Sequence, residues 1–286
     1  MPELPEVQTI VDELEQKIKN KTISSVQVTA NKSVNLPNKK FVRLLLGKKV
    51  LEVTRRAKMI IVELSANKYL LIHLKMTGQL VFKDKRGRGV SGGHPIAVKG
   101  ELPNKFTRVS FAFKGGSQLF FNDIRRFGWI KLVDKKIKDQ ETAKYGLEPL
   151  EDDFTQANFK KALGRYPKRK IKQVLLDQTL IAGVGNIYAD EACFAARILP
   201  TRPAESLKEK EIKDLWRAIP KILKFSISKK GTSADTYVTT SGEEGAMMKH
   251  LKVYGRNGER CKVCGEAIKK MRLAGRGTHY CLKCQK

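Results

Sequence analysis

Acidic residues are scarce in this chain. Asp and Glu total 29 against 57 Lys and Arg, a formal net charge of +28 over 286 residues. A globular chain this basic has a polyanion as its obvious partner, because phosphate binding is driven by released counterions. Charge alone does not separate DNA from RNA, or an enzyme from an architectural protein. Long apolar runs are also missing: no stretch approaches the roughly 20 residues a membrane helix needs. The first residues, MPELPE, lack a basic segment followed by an apolar one, which argues against a secretory signal. The expected location is therefore cytoplasmic and nucleoid-associated, with thiols kept reduced. Aromatics make up only 7 %, and no stacking surface typical of RNA readers is evident. Hydrophobic residues at 41 % suffice for folded cores, so wholesale disorder is excluded.

Of only five cysteines, four stand in formation. Cys261, Cys264, Cys281 and Cys284 form C-x2-C-x16-C-x2-C. Two residues between thiolates let each pair reach one ion from a tight knuckle, and two knuckles complete a tetrahedral zinc site. Protein fills all four positions, so the single Zn2+ is expected to be structural. Two disulfides are the alternative, disfavoured in a reducing compartment. Cys193 sits alone in an apolar helical run and reads as a small core residue. Positions 249–286 carry eleven bases and two acids. A metal-stiffened hairpin with that charge reads as a phosphate or groove contact; a protein-binding zinc ribbon is the alternative.

Periodicity divides the chain. Val7, Val11, Leu14 and Ile18 fall at helical spacing, with Pro5 where a helix start tolerates it. Short β-rich runs follow at 23–28, 50–53, 59–64, 69–74, 109–113, 119–121 and 129–133, suggesting a sandwich or barrel. Positions 83–104, rich in Gly, Lys and Pro, read as a long exposed loop. Helical spacing then governs 154–163, 171–177, 187–196 and 207–229, before a Gly-, Ser- and Thr-rich loop at 231–245. The expected fold class is α+β. It has an N-terminal β-sandwich with a leading α-helix at 1–135 and a helical domain at 150–245, with a β-hairpin zinc finger at 250–286.

Positions 176–191 place two helices around a Gly-containing turn, with Asn186 at the expected N-cap of the second. Exposed amides there, with the helix dipole, suit a phosphate. Lys168, Arg169, Lys170 and Lys172 lie just upstream. A plain helical hairpin is the alternative.

Six blocks, in order along nearly the whole chain, resemble the formamidopyrimidine-DNA glycosylase family. They are PELPEV (2–7), RRAK (55–58), HLKMTG (73–78), NDIRRFG (122–128), GVGNIYADE (183–191) and GRGTHYCLKCQ (275–285). The resemblance implies a helix–two-turn–helix DNA-binding domain and a bifunctional glycosylase/AP lyase of base excision repair. It would act as a monomer on damaged double-stranded DNA, without a membrane. By the same resemblance, Pro2, exposed as a secondary amine once Met1 is removed, is the nucleophile. Glu3 is the general acid on the sugar and Glu6 a supporting carboxylate. Lys58 is the proton donor in β-elimination, and Arg276 grips the lesion phosphates and assists δ-elimination. Met76, Arg125 and Phe127 fill the gap left by an extruded base, and Arg126 meets a phosphate. Lys168, Lys172 and Asn186 complete the DNA-binding set. Without the resemblance, Pro2 and Glu3 read as ordinary helix-start residues, and Met76 and Phe127 as well as core.

The chain departs from the family pattern in three places. The segment 83–104 lengthens the distance from Met76 to Arg125. Phe106 stands where a DNA-contacting histidine is expected. The lesion-capping segment SGEEGAMM (241–248) lacks its usual aromatic. Oxidised purines are the expected substrates, and Leu4 favours them over the oxidised pyrimidines of the endonuclease-eight-like subgroup. A catalytically silent damaged-DNA-binding protein is the alternative from another class.

Overall fold

The computed structural model describes residues 1–87, 89–93, 101–232 and 245–286. The backbone divides into two compact units: Met1–Ala143 with Lys229–Ala246, and Lys144–Ser228 with Met247–Lys286. The finger thus shares a unit with the preceding helices, and both sides of the segment after residue 228 group with the N-terminal unit.

In the first unit, α1 (Leu4–Ile18) begins at extended Glu3 and carries Pro5 in its first turn, where no amide donor is needed. Its apolar stripe of Val7, Ile10, Val11, Leu14 and Ile18 is buried. The strands are β1 (Ile23–Val28), β2 (Val50–Arg56), β3 (Met59–Leu64), β4 (Lys68–His73), β5 (Gly78–Lys83), β6 (Gly89–Gly93), β7 (Thr107–Phe113), β8 (Gln118–Asp123) and β9 (Trp129–Asp134). They form two antiparallel sheets, ordered β1-β7-β8-β5-β6 and β2-β3-β4-β9. Val26, Val109, Phe111 and Phe121 of the first share one core with Val53, Val62, Leu70 and Ile72 of the second, as in a sandwich. Two short helices, α2 (Asn38–Leu45) and α3 (Lys135–Thr142), complete the unit.

Four elements differ from the sequence expectation, the first being β5, which no expected run covered. The stretch assigned to a loop from position 83 contains β6, which pairs with β5 from Lys83↔Gly89 to Gln79↔Gly93. Its sequence, GVSGG, has one β-former, and its pairing with β5 supplies what propensity does not. Helices α2 and α3 were also not anticipated. They are eight residues each and rich in Lys, so they lack a long apolar stripe.

In the second unit, α4 (Gln156–Gly164), α5 (Ile171–Leu176), α6 (Asn186–Ala195) and α7 (Glu209–Ser228) precede a hairpin of β10 (Lys269–Leu273) and β11 (Arg276–Tyr280). Thr155 caps α4 by accepting from Asn158 N at 3.2 Å. Gln178 closes the turn between α5 and α6: its amide donates to Val184 O at 2.8 Å and accepts from Gly183 N at 2.9 Å. Gly185 is the N-cap of α6, so Asn186 is its first helical residue and not the expected cap. Phe194 of α6 packs with Val253, Ile268, Cys261 and Cys281, which seats the finger on the helix. Cys193 is fully buried, and burial pushes its thiol up, as a core residue requires. Among the described residues, no helix is long and apolar enough to cross a membrane.

Candidate functional site

The first constellation gathers at the start of α1. Pro2, Glu3 and Glu6 are all buried. The Glu6 carboxylate accepts from Glu3 N at 2.8 Å and from Thr232 N at 2.9 Å. These two bonds fix the backbone leading into the helix and leave the Glu3 side chain beside the chain terminus. Helix α1 is itself tied to β2, where Arg55 Nε donates to Gln8 Oε1 at 2.6 Å and Val53 N to Glu15 Oε2 at 2.6 Å. The β2–β3 turn that follows takes Ala57 through a left-handed φ of 54° and carries Lys58, which is 6 % exposed. The terminal amine is held below its usual 8.0 by burial; Glu3 and Glu6 oppose that shift and Lys58 adds to it. The amine here belongs to Met1, directly before Pro2. An amine whose protonation burial disfavours, flanked by carboxylates and a lysine, is equipped for nucleophilic attack with proton transfer.

His73 adjoins this group and had no expected role. It is 9 % exposed, and its imidazole is pushed down to about 3, chiefly by burial and then by Lys75 and Lys58. Nδ1 accepts from Lys75 N at 3.0 Å, so the neutral ring carries its proton on Nε2.

The second constellation lies on two turns, β4–β5 and β8–β9. Met76 on the first is 40 % exposed, and Phe127 on the second is 52 % exposed. Large apolar side chains held this far into solvent are not core, which decides the question left open by the sequence. The Arg125 guanidinium stacks over the Phe127 ring at 4.7 Å, and Arg126 is exposed at a left-handed φ of 57°. A cation on an aromatic face makes a flat, rigid projection. Phe106 closes a turn in which its amide donates to Asn104 Oδ1 at 2.9 Å.

In the second unit, Lys168 is exposed, but Lys172 is not. The Lys172 side chain is 1 % exposed and its ammonium lies 2.6 Å from Asp190 Oδ1. It also donates to Gly277 O at 3.0 Å and to Thr278 Oγ1 at 2.9 Å. One ion pair and two hydrogen bonds thus commit the buried ammonium to its own unit. Lys172 is therefore corrected from a phosphate ligand to a buried clamp joining α5, α6 and the hairpin. Asp190 Oδ2 accepts from His279 N at 2.9 Å, and Asn186 Nδ2 donates to Gly277 O at 3.0 Å. Arg276, at the start of β11, stays exposed on a hairpin fixed in this way from beneath.

The four finger cysteines fit a zinc ion. Their sulfurs all lie within 4.8 Å of one another, with Cys264–Cys281 at 3.5 Å and Cys261–Cys284 at 3.9 Å. Tetrahedral Zn–S bonds of about 2.3 Å place sulfurs about 3.8 Å apart. Cys281 N donates to Gln285 Oε1, and Gln285 Nε2 donates to Ile198 O, each at 2.8 Å, so a knuckle is anchored to the helical part of its own unit.

Three family models match the chain. They are the formamidopyrimidine-DNA glycosylase N-terminal domain over 1–130, the H2TH domain of the same glycosylases over 145–238, and the zinc finger found in FPG and IleRS over 258–286. The formamidopyrimidine-DNA glycosylase of Carboxydothermus hydrogenoformans is 41 % identical over 287 residues, spanning all of both chains. Among solved structures, a Lactococcus lactis FPG mutant complexed with Fapy-dG-containing DNA superposes with a TM-score of 0.87 at 34 % identity. That match covers both chains completely. The wild-type L. lactis FPG on DNA containing an oxidised pyrimidine gives 0.86 at 34 % identity, again over both full lengths.

Proposed function

The chain belongs to the formamidopyrimidine-DNA glycosylase family, and we propose that it excises oxidised purines from duplex DNA and then nicks the strand in base excision repair. The substrates are 8-oxoguanine and ring-opened formamidopyrimidines. The observation that carries this reading is the cluster of buried Pro2, Glu3 and Glu6 at the start of α1, with buried Lys58 close enough to act on the same terminus.

The chemistry follows from those groups. Pro2 N, neutral after loss of Met1, attacks the sugar C1′, and the bond from C1′ to the base breaks with its electron pair leaving on the base. Glu3 takes the proton that Pro2 N sheds and delivers it to the sugar ring oxygen; the C1′–oxygen bond breaks with its electron pair on that oxygen, and the nitrogen lone pair closes an iminium between Pro2 and C1′. The cation acidifies the C2′ hydrogen, so its loss expels the 3′ phosphate by β-elimination, with Lys58 supplying a proton. A second elimination expels the 5′ phosphate, whose charge Arg276 holds. Glu6 acts through its grip on Glu3 N and Thr232 N.

DNA is opened by Met76, Arg125 and Phe127. Unstacking a base costs a few kcal/mol, and an exposed apolar and cationic wedge replaces part of the lost stacking. Arg126, Lys168 and the first turn of α6 around Asn186 meet phosphates. The protein acts as a monomer in the cytoplasm, at the nucleoid, with one structural zinc.

The test is borohydride trapping on duplex DNA carrying 8-oxoguanine opposite cytosine. A covalent adduct mapping to Pro2 is expected, and Pro2→Gly should lose most of it. No adduct on that duplex, nor on an abasic one, with Met1 absent, overturns the enzyme reading in favour of a damage-binding protein. A second reading, oxidised pyrimidines, is favoured by the similar L. lactis complex with such a lesion. An adduct on an oxidised-pyrimidine duplex alone would select it.

A further inference from the structure

Asp123 closes β8 with no exposed surface. It touches no part of the amine constellation, and no role has been given to it above. Its carboxylate collects hydrogen bonds from both of the turns that bear the exposed Met76, Arg125 and Phe127. From the β4–β5 turn, the Thr77 hydroxyl donates to Oδ1. From the β8–β9 turn, Arg125 N donates to Oδ1 at 3.2 Å and Gly128 N to Oδ2 at 2.7 Å. Arg125 N is shared with Thr77 Oγ1 at 3.0 Å, which links the two turns a second time.

The strands alone do not make this link. The β4–β5 turn passes from the four-stranded sheet to the five-stranded one, and the β8–β9 turn passes back. The nearest ladder pairs are His73↔Trp129 on one side and Gly78↔Asp123 on the other. Between those pairs the two turns have no backbone ladder, and the carboxylate stands in that gap. The packing is tight as well: a Cβ on Gly128 would lie 2.8 Å from Phe121 Cζ and 3.1 Å from Asp123 Oδ2.

We propose that Asp123, with Thr77, is the positioning pair that locks Met76, Arg125 and Phe127 into one rigid wedge, so that the wedge enters DNA preassembled. The proposal rests on the wedge reading of those three residues given above. A free turn would have to be ordered on binding, at an entropic cost that weakens insertion. The carboxylate receives only donors. An amide in its place would set an N–H against a donor on one side, so even Asp123→Asn breaks the lock.

The experiment compares excision from duplex with trapping at an abasic site in single-stranded DNA, where no stack has to be opened. The variants are Asp123→Asn, Thr77→Val, Thr77→Ser and the pair Met76→Ala/Phe127→Ala, each checked for folding by its thermal transition. Asp123→Asn and Thr77→Val should slow duplex excision at least about tenfold, and together they should cost little more than either alone. Single-strand trapping should stay within about twofold, and Thr77→Ser should restore duplex excision. A 2-aminopurine opposite the lesion should lose the fluorescence change that reports wedge insertion. If Met76→Ala/Phe127→Ala leaves duplex excision intact, the wedge reading itself fails. If that pair is impaired while Asp123→Asn and Thr77→Val are not, or if both assays fall equally, the wedge stands and the lock is overturned. Should Asp123→Asn not fold, Thr77→Val and its serine rescue decide the matter.

Discussion

Replacing Lys172 by Met separates two readings of one residue. A phosphate ligand on the surface would cost DNA affinity and leave stability alone. The structure instead buries Lys172 against Asp190 at 2.6 Å, with side-chain exposures of 1 % and 0 %. Removing one partner of a buried pair strands the other charge, at a cost of about 3–5 kcal/mol. For a unit of this size, that corresponds to a fall in melting temperature of about 6–20 °C. Met conserves most of the apolar stem, so the loss reports the charge with its ion pair and two hydrogen bonds rather than a cavity. The double variant Lys172→Met/Asp190→Asn removes both charges and should recover part of the loss, a coupling that a surface lysine would not show. The assays are thermal and urea unfolding of the full zinc-loaded chain, followed by duplex affinity across a salt series at low temperature. Neutralising one phosphate contact lowers the slope of log K against log salt by about 0.9. The slope should fall for Lys168→Ala and stay unchanged for Lys172→Met. A Lys172→Met protein as stable as the parent, with a reduced salt slope, would refute the buried-clamp reading.

Three further outcomes follow from the same geometry. Stripping zinc with a chelator, or Cys284→Ser, should release the hairpin that carries Arg276 and weaken duplex binding; metal analysis should find one zinc per chain beforehand. If duplex binding survives removal of the metal, the finger is not what presents Arg276. His73 is neutral when folded, with its imidazole at about 3, whereas the unfolded chain binds a proton near 6.5. Stability is therefore full above pH 6.5 and falls by about 1.4 kcal/mol for each pH unit below it, until the folded ring titrates. Urea unfolding at pH 7.5 and 5.5 should show that loss in the parent and not in His73→Gln. Finally, an amine attacks only when unprotonated, so trapping should rise with pH; trapping that falls steadily as the pH is raised would contradict an amine nucleophile.

Much of the frame was legible in the sequence because it rests on periodicity and spacing. The stripe from Val7 to Ile18 gave α1, and seven β-rich runs fall on seven of the nine strands of the first unit. Strand β5 was missed although it holds Leu80, Val81 and Phe82, because it follows closely on a Gly-containing turn. Strand β6 has almost no side chains with which to announce itself. The cysteine spacing carried the metal site unaided, since ligand geometry constrains sequence directly. Of the segment 241–248, positions 241–244 lie outside the described residues.

What the sequence could not carry is which charges face inward. Lys168 and Lys172 sit four positions apart in one basic run and look alike, yet one is exposed and the other is buried, pairing with Asp190 and donating to Gly277 O and Thr278 Oγ1. The difference arises from Asp190, the Gly277 carbonyl and the Thr278 hydroxyl, 18 and more than 100 residues away in the chain. Asp123 poses the same problem with opposite sign. It stood inside a block read for its neighbours Arg125, Arg126 and Phe127, and its meaning depends on Thr77, 46 positions earlier. In a chain of net charge +28 an exposed cation is the default and says little. The informative residues are the few ions held away from water, because each needs a partner supplied by tertiary structure. Those partners tie the exposed groups to rigid elements: Lys172 fixes the hairpin beneath Arg276, and Asp123 fixes the turns beneath Met76 and Phe127. In each unit a buried ion thus sets the position of an exposed residue to which we assign a DNA contact.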